Sequence, residues 1–154
     1  MQYWLMKSEP DCFSIDDLKA CPNSTDMWDG VRNYQARNMM RDEMKKGDQV
    51  LFYHSNAKPP HIAGIATIAS KQAYPDPTQF DPKSQYFDDK STKDRPRWFL
   101  VDVKYKKKFK NPIPLDQVKA NPKLKNMKLV QKGSRLSIQP VTSKEWDEVL
   151  AMTN

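Results

Sequence analysis

The apolar pattern changes period too often along this chain for any regular repeat of strand and helix to form. Strand-like runs and short helical runs follow one another irregularly, so a doubly wound sheet built on steady strand–helix alternation does not fit. Tyr3-Trp4-Leu5-Met6 reads as a buried strand, too short for a helix once Pro10 closes it. In "FSIDDL", Ser14 is placed to cap a helix, Asp17 follows three residues later, and Phe13 and Leu18 are spaced for a hydrophobic staple. That predicts a short helix from Ile15 to Ala20, stopped by Pro22. Ala36, Met39, Met40 and Met44 predict the apolar face of a second helix, capped by Asn33 and ended by Gly47. Gln49 to His54 and Ile62 to Ala73 read as strands, and Gly64 in the latter allows a close backbone approach. Tyr74 to Pro96 is rich in Pro, Asp and Ser and predicts a long loop with a turn or two of helix. A loop of that length in a compact domain is usually functional or mobile. Trp98 to Phe109 predicts a long strand, Pro114 to Lys119 a short helix with Pro in its first position, and Leu136 to Ile138 a short strand. The last element is the clearest. Thr142 caps, Glu145 completes a capping box, Val141 and Trp146 make a staple, and Trp146, Val149 and Leu150 face a core.

With 154 residues, the chain predicts one domain over residues 1–154 with one core. The fold class expected is α+β: a small, partly closed mixed sheet of β-barrel type with short helices around it. No apolar run approaches the ~18 residues of a membrane span. "MQYWLMKSEP" lacks the basic segment followed by an apolar stretch of a signal peptide. Cys12 and Cys21 do not suggest a disulfide framework, so a reducing, cytoplasmic setting is expected, or a nuclear one in a eukaryote. A monomer is expected. Four glycines leave no Gly-rich phosphate loop and no nucleophile elbow, and no cofactor is expected. Cys12, Cys21, His54 and His61 lack the close pairing of a zinc site, so no metal is expected. The net charge of +7 points to a polyanionic partner, nucleic acid first, or simply to surplus surface lysine.

The loop "MWDGVRNYQ" (Met27–Gln35) carries more chemistry than a turn needs. Asp29-Gly30 permits a tight turn. Trp28 and Tyr34 offer aromatic faces on which a base can stack, Asp29 and Asn33 offer polar groups for a base edge, and Arg32 can reach a phosphate. Trp28 reads equally well as a core tryptophan. Arg37, Arg41 and Lys45 fall at four-residue steps, a phosphate-facing stripe or a solvated face countered by Asp42 and Glu43. Lys104, Lys106, Lys107, Lys108 and Lys110, interleaved with Tyr105 and Phe109, suit a phosphate backbone or a lysine-guarded edge strand.

"YWLMKSEP", "WDGVRNYQARN", "GDQVLFYHS", "GIA", "YPDPTQFD" and "RLSIQPVTSKEW", in that order, resemble the EVE domain over essentially the whole chain. The resemblance implies the PUA-like superfamily, hence a pseudo-barrel with helices covering it. It also implies a non-enzymatic reader of a modified nucleobase, flipped out or single-stranded, in DNA or RNA. Relatives include YTH domains, which hold N6-methyladenine in an aromatic cage, and the similarly folded SRA domain, which holds a flipped 5-methylcytosine. By resemblance, Lys7 and Ser8 border the ligand, Trp28 matches the first cage tryptophan, and Asn33 and Tyr34 complete the rim. Tyr53, His54 and Ser55 end a strand reaching the pocket, with Asp29 beside Trp28. Arg32, Arg37, Arg41, Lys106, Lys107 and Lys108 are the phosphate candidates. Where YTH has a second cage tryptophan this chain has Val103, so the cage differs from that of YTH. Some ASCH relatives hydrolyse modified nucleosides, and Lys7 with Glu9 would supply the base and acid for that alternative.

Overall fold

The computed structural model describes residues 1–133 and 135–153; Ser134 and Asn154 of the expected 1–154 domain lie outside them. Two buried runs build the centre of the sheet. β1 (Tyr3–Ser8) runs parallel to β3 (Gln49–His54), with Lys7 opposite Tyr53 and Ser8 opposite His54. β4 (His61–Ile68) returns antiparallel on β3, and β7 (Asp102–Pro114) antiparallel on β4. β2 (Thr25–Met27) and β8 (Ile138–Val141) form the edges, on β7 and β1 respectively, completing the six-stranded order β2-β7-β4-β3-β1-β8. β5 (Tyr74–Pro75) and β6 (Phe99–Leu100) pair separately.

Both faces of this sheet are covered, which is why its central strands read as continuous apolar runs rather than alternating ones. Trp4, Met6, Val50 and Phe52 join Trp28, Met40 and Val103 on one side. Leu5, Leu51, Tyr53 and Ile62 join Trp146 and Val149 on the other. Pairing slips between Phe52 and Tyr53, between Ile62 and Gly64, and between Ile65 and Ala66. Such bulges bend and twist a sheet, and here they curl it into a half-barrel. At Gly64 the chains come so close that a Cβ would collide with the Lys107 carbonyl and the Ile15 side chain. The result is the α+β, PUA-like pseudo-barrel that the resemblance implies.

Among the described residues four α-helices pack around it. α1 (Ile15–Ala20) carries the expected capping box of Ser14 and Asp17. α2 (Tyr34–Asn38) is capped by Asn33, whose side chain accepts the Ala36 N–H at 2.9 Å. α3 (Leu115–Ala120) follows Pro114, which is its cap rather than its first residue. α4 (Ser143–Ala151) carries the Thr142–Glu145 capping box and buries Trp146 and Val149. Among the described residues no helix is long and apolar enough to cross a membrane.

Four boundaries differ from expectation, each for a local reason. α2 does not run to Gly47. It opens into a wide π turn over Met39–Glu43, closed by the Met44 N–H on the Met39 carbonyl at 2.9 Å, and Met44 itself is extended. That turn lets Met39, Met40 and Met44 all reach the core. Gly47, at φ +94°, instead turns the chain into β3. The strand expected to reach Ala73 stops at Ile68, because the Ala69 N–H already turns to the Asp102 carbonyl at 2.8 Å. The run from Trp98 to Phe109 is two strands split at Val101, whose carbonyl accepts the Trp28 N–H at 3.0 Å. The strand placed at Leu136–Ile138 begins only at Ile138.

Candidate nucleic-acid interface

Trp28 leaves β2 and enters a loop pinned to the long segment 74–98. At the centre of the attachment is Asp76, 1% exposed. Its carboxylate accepts the Gly30 N–H at 2.9 Å, Arg32 Nη1 at 3.1 Å, and the Thr78 N–H at 2.8 Å. Arg32 spends its whole guanidinium here. Nε and Nη2 donate to the Tyr86 carbonyl at 3.1 and 2.7 Å, Nη1 also to the Val31 carbonyl, and Nη2 also to the Thr78 hydroxyl. Gly30 sits at φ +82° beneath the Tyr86 ring, where a Cβ would come within 2.6 Å of a ring carbon. Only glycine tolerates both the backbone sign and the contact.

This clamp forms one wall of a cavity of about 470 Å³ at the mouth of the half-barrel, within the size range of small-ligand sites. Lys7 and Ser8 at the end of β1, Trp28 and Asp29 in the loop, Tyr86 from the long segment and Ser137 before β8 all line it. The two readings of Trp28 are both met. It is 8% exposed with its ring edge-on to Phe52 at 5.5 Å, and its remaining surface faces the cavity. Burial pulls the Lys7 ammonium below the usual lysine range, and no ion pair among the described residues engages it. The Asp29 carboxyl is lifted above the ordinary carboxylate range by desolvation first, then by Asp76, although its outer side reaches solvent. Lys7, whose ammonium lies 5.9 Å from the Tyr53 ring centroid, and the Asp29 carboxyl thus both border the cavity.

The other expected pocket residues lie outside it. Asn33 caps α2. Tyr34, half exposed, stacks on Trp98 at 4.7 Å with 16° between the planes. Tyr53 is buried in the opposite core, where burial pushes its hydroxyl up to about 12. His54 Nε2 accepts the Ile15 N–H at 3.1 Å, and its Nδ1 meets His61 Nε2 at 3.0 Å. The Ser55 N–H donates to the Ser8 carbonyl. Tyr53 and His54 therefore form the row behind Lys7 and Ser8. No group of three or more His, Cys, Asp or Glu among the described residues is placed to hold a metal ion.

The phosphate candidates are mostly engaged. Arg32 is the clamp described above. Arg37 donates to Asn38 Oδ1 and to the Arg97 carbonyl, with its guanidinium 4.7 Å from the Tyr34 ring centroid. Arg41 forks onto Asp42 at 2.8 and 2.9 Å. Lys45 lies beyond the helix end at Glu43, so the expected stripe of three does not form. Lys106 donates to Gln49 Oε1 and Lys108 pairs with Asp16 at 2.9 Å, while Lys107 is exposed and in no ion pair among the described residues. Sequence reading missed Tyr86. Its one signal was its place in a loop too long to be idle. Val103 is fully buried in the core, and the aromatics that line the cavity with Trp28 are Phe13 and, from that loop, Tyr86.

A family model described as the EVE domain matches residues 2–152. Thymocyte nuclear protein 1 of Gallus gallus is 48% identical over 167 aligned residues, covering 97% of this chain and 68% of that protein. A solved structure of a protein from Pseudomonas syringae superposes with TM-score 0.93 at 49% identity, covering 99% of each chain. The human THYN1 protein, crystallised in complex with 5-methylcytosine-containing DNA, superposes with TM-score 0.93 at 46% identity, covering 100% of this chain and 98% of that one.

Proposed function

The chain belongs to the EVE domain family, and on that premise we propose that it binds nucleic acid and reads a modified nucleobase in the cavity beside Trp28. The base enters from a single strand or flipped out of a duplex, since its reading edges are otherwise paired. The observation that carries this is the cavity itself: about 470 Å³, bordered by Trp28, Lys7, Ser8 and Asp29. It lies in a fold that superposes closely on a protein crystallised with 5-methylcytosine-containing DNA. Trp28 and Tyr86 supply apolar walls. Lys7 donates to a base carbonyl or phosphate, and Asp29 can either donate or accept at the base edge depending on its proton. Tyr53, His54 and Ser55 hold Lys7 and Ser8 in register from behind, while Asn33 and Tyr34 fix the start of α2 against the loop.

A hydrolytic alternative needs a lysine and a carboxylate converging in the cavity. Lys7, Glu9 and Asp29 all line the cavity, but among the described residues no ion pair joins Lys7 to a carboxylate, and Glu9 accepts from the Asn56 amide at 3.2 Å. The geometry favours binding. The test is titration of oligonucleotides differing only in one modified base. Wild type is expected to prefer a modified form. Trp28→Ala should lose about 1–3 kcal/mol of that binding, and Lys7→Met, which leaves the core intact, should weaken it while remaining folded by circular dichroism. Equal affinity for modified and unmodified oligonucleotides across a broad panel would sink the reading.

A further inference from the structure

The surplus charge of this chain is not spread over its surface. Residues 117–144 contain seven cations (Lys119, Lys123, Lys125, Lys128, Lys132, Arg135 and Lys144) and no carboxylate. The other nineteen cations are matched by all nineteen carboxylates, so this one segment accounts for the whole net charge of +7. Of the cations elsewhere that were expected to meet phosphate, Arg32 and Arg37 are held by internal hydrogen bonds, and Arg41 and Lys108 sit in exposed ion pairs with Asp42 and Asp16. Within the segment only Lys123 is in an ion pair among the described residues, at 3.9 Å from Glu148. Lys128, Lys132 and Arg135 are exposed and in none.

The same segment walls a second cavity of about 480 Å³, comparable in volume to the first. Lys128, Lys132, Leu136 and Pro140 line it on one side, Gln35 and Met39 of α2 and its π turn on the other. The two cavities share both of their supporting stretches. Residues 28–32 line the first and Gln35 and Met39 the second. Ser137 lines the first and its neighbour Leu136 the second, one Cα step of about 3.8 Å apart. Ser137 is also tied to the base site directly, its carbonyl accepting the Lys7 N–H at 2.8 Å. A chain whose base occupies the first cavity therefore has its continuation beside Lys128 and Lys132. None of the β7 lysines lines either cavity, whereas Lys128 and Lys132 line the second.

We propose that Lys128, Lys132 and Arg135 form the track for the phosphodiester backbone, and that the second cavity seats the nucleotide adjacent to the one being read. This rests on the reading of the first cavity as a base site. The amide and apolar groups of its lining, with no carboxylate among them, suit a sugar and base of any sequence, and the cations at its mouth suit the linking phosphates.

The test measures binding of full-length protein to an oligonucleotide carrying 5-methylcytosine and to free 5-methyldeoxycytidine, over a range of salt. Removing one cation that neutralises a phosphate lowers the slope of log affinity against log salt by about 0.9 on duplex or 0.7 on single strand. The triple variant Lys128→Gln/Lys132→Gln/Arg135→Gln should lower that slope by about 2–3 and weaken oligonucleotide binding about tenfold or more. Nucleoside affinity and the preference for the methylated base should stay unchanged. The variant Lys106→Gln/Lys107→Gln/Lys110→Gln should keep the wild-type slope. An unchanged slope in the first triple, a reduced slope in the second instead, or abolished nucleoside binding in the first overturns the assignment and leaves the base site standing. If wild type binds neither ligand, nor any other modified base offered to it, the base-site reading itself falls, and this one with it.

Discussion

Arg32 shows how a residue type can be legible while its task is not. An arginine beside Trp-Asp-Gly in a basic chain invites a phosphate, yet all of its N–H groups find partners within the protein. Its side chain is 22% exposed and its partner carboxylate 2%. Removing one member of a buried pair leaves the other uncompensated, at a cost of about 3–5 kcal/mol when burial is complete. Partial exposure of Arg32 reduces this, and Arg32→Ala is expected to lose about 2–3 kcal/mol in urea unfolding. Because the same side chain holds the Tyr86 carbonyl, the variant should also weaken base binding. Arg32→Lys keeps the charge but not the planar fork, so it should rescue little of either. Full stability in Arg32→Ala would show that the clamp contributes nothing. Tyr86 could not have been found from its own sequence surroundings. Its place follows from Gly30, fifty-six residues earlier, whose missing Cβ makes room for the ring.

At the level of elements, α1 was the most completely readable, from cap to stop, because capping boxes and staples act within a few residues. What holds α1 on the sheet was not readable. His54 Nε2 accepts the Ile15 N–H, so the ring proton lies on Nδ1 and points to His61 Nε2, and His61 Nδ1 in turn donates to the Pro59 carbonyl at 2.8 Å. Burial holds His54 below the ordinary histidine range, and His61 and Lys108 lower it further against the opposing pull of Asp16 and Asp17. The native state therefore binds fewer protons than the unfolded one, so this contribution is present above the ordinary histidine pKa of about 6.5 and is lost as pH falls below it. Protonation sets an N–H against the Ile15 N–H and removes about 1 kcal/mol, the value of one neutral hydrogen bond. Between pH 7 and pH 5 the Tm should drop by about 2–4 °C from this source. His54→Gln, whose side-chain oxygen can accept the same N–H, should flatten that part of the profile; an identical pH profile in the variant would exclude His54 as its origin.

For the molecule as a whole, the two-sided sheet separates stability from recognition. Leu51 and Phe52 are neighbours in β3, both fully buried, and point to opposite cores. Leu51→Ala should cost about 2–5 kcal/mol and Phe52→Ala about 3–5 kcal/mol in chemical denaturation. Only Phe52→Ala should also weaken binding of the modified base, because Trp28 loses its edge contact and with it a fixed cavity wall. Equal binding losses in the two variants would mean that the faces are coupled through the sheet rather than separate. Charge follows the same whole-molecule logic: a total of +7 was visible in the composition, but only the fold shows which cations remain available and beside which cavity they stand.

The sequence by itself determined the local events of this protein: where helices begin, which runs are buried, that Gly64 marks a close crossing, and that the strands and helices interleave too irregularly for a doubly wound fold. Each depends on residues a few positions apart, or on one residue's missing side chain. It also pointed to Trp28 and Asp29 through the chemistry of their loop and to Lys7 and Ser8 through family resemblance, and the cavity gathers these four. The tertiary structure alone decided the rest. It drew Arg32 and Arg37 onto distant carbonyls, placed Tyr34, Tyr53, His54 and Ser55 outside the cavity, and brought Tyr86 into it. Those outcomes depend on hydrogen bonds and ring contacts between segments tens of residues apart, such as Arg32 to Tyr86 and Arg37 to Arg97. No spacing or periodicity within a segment can encode which distant carbonyl an arginine will reach.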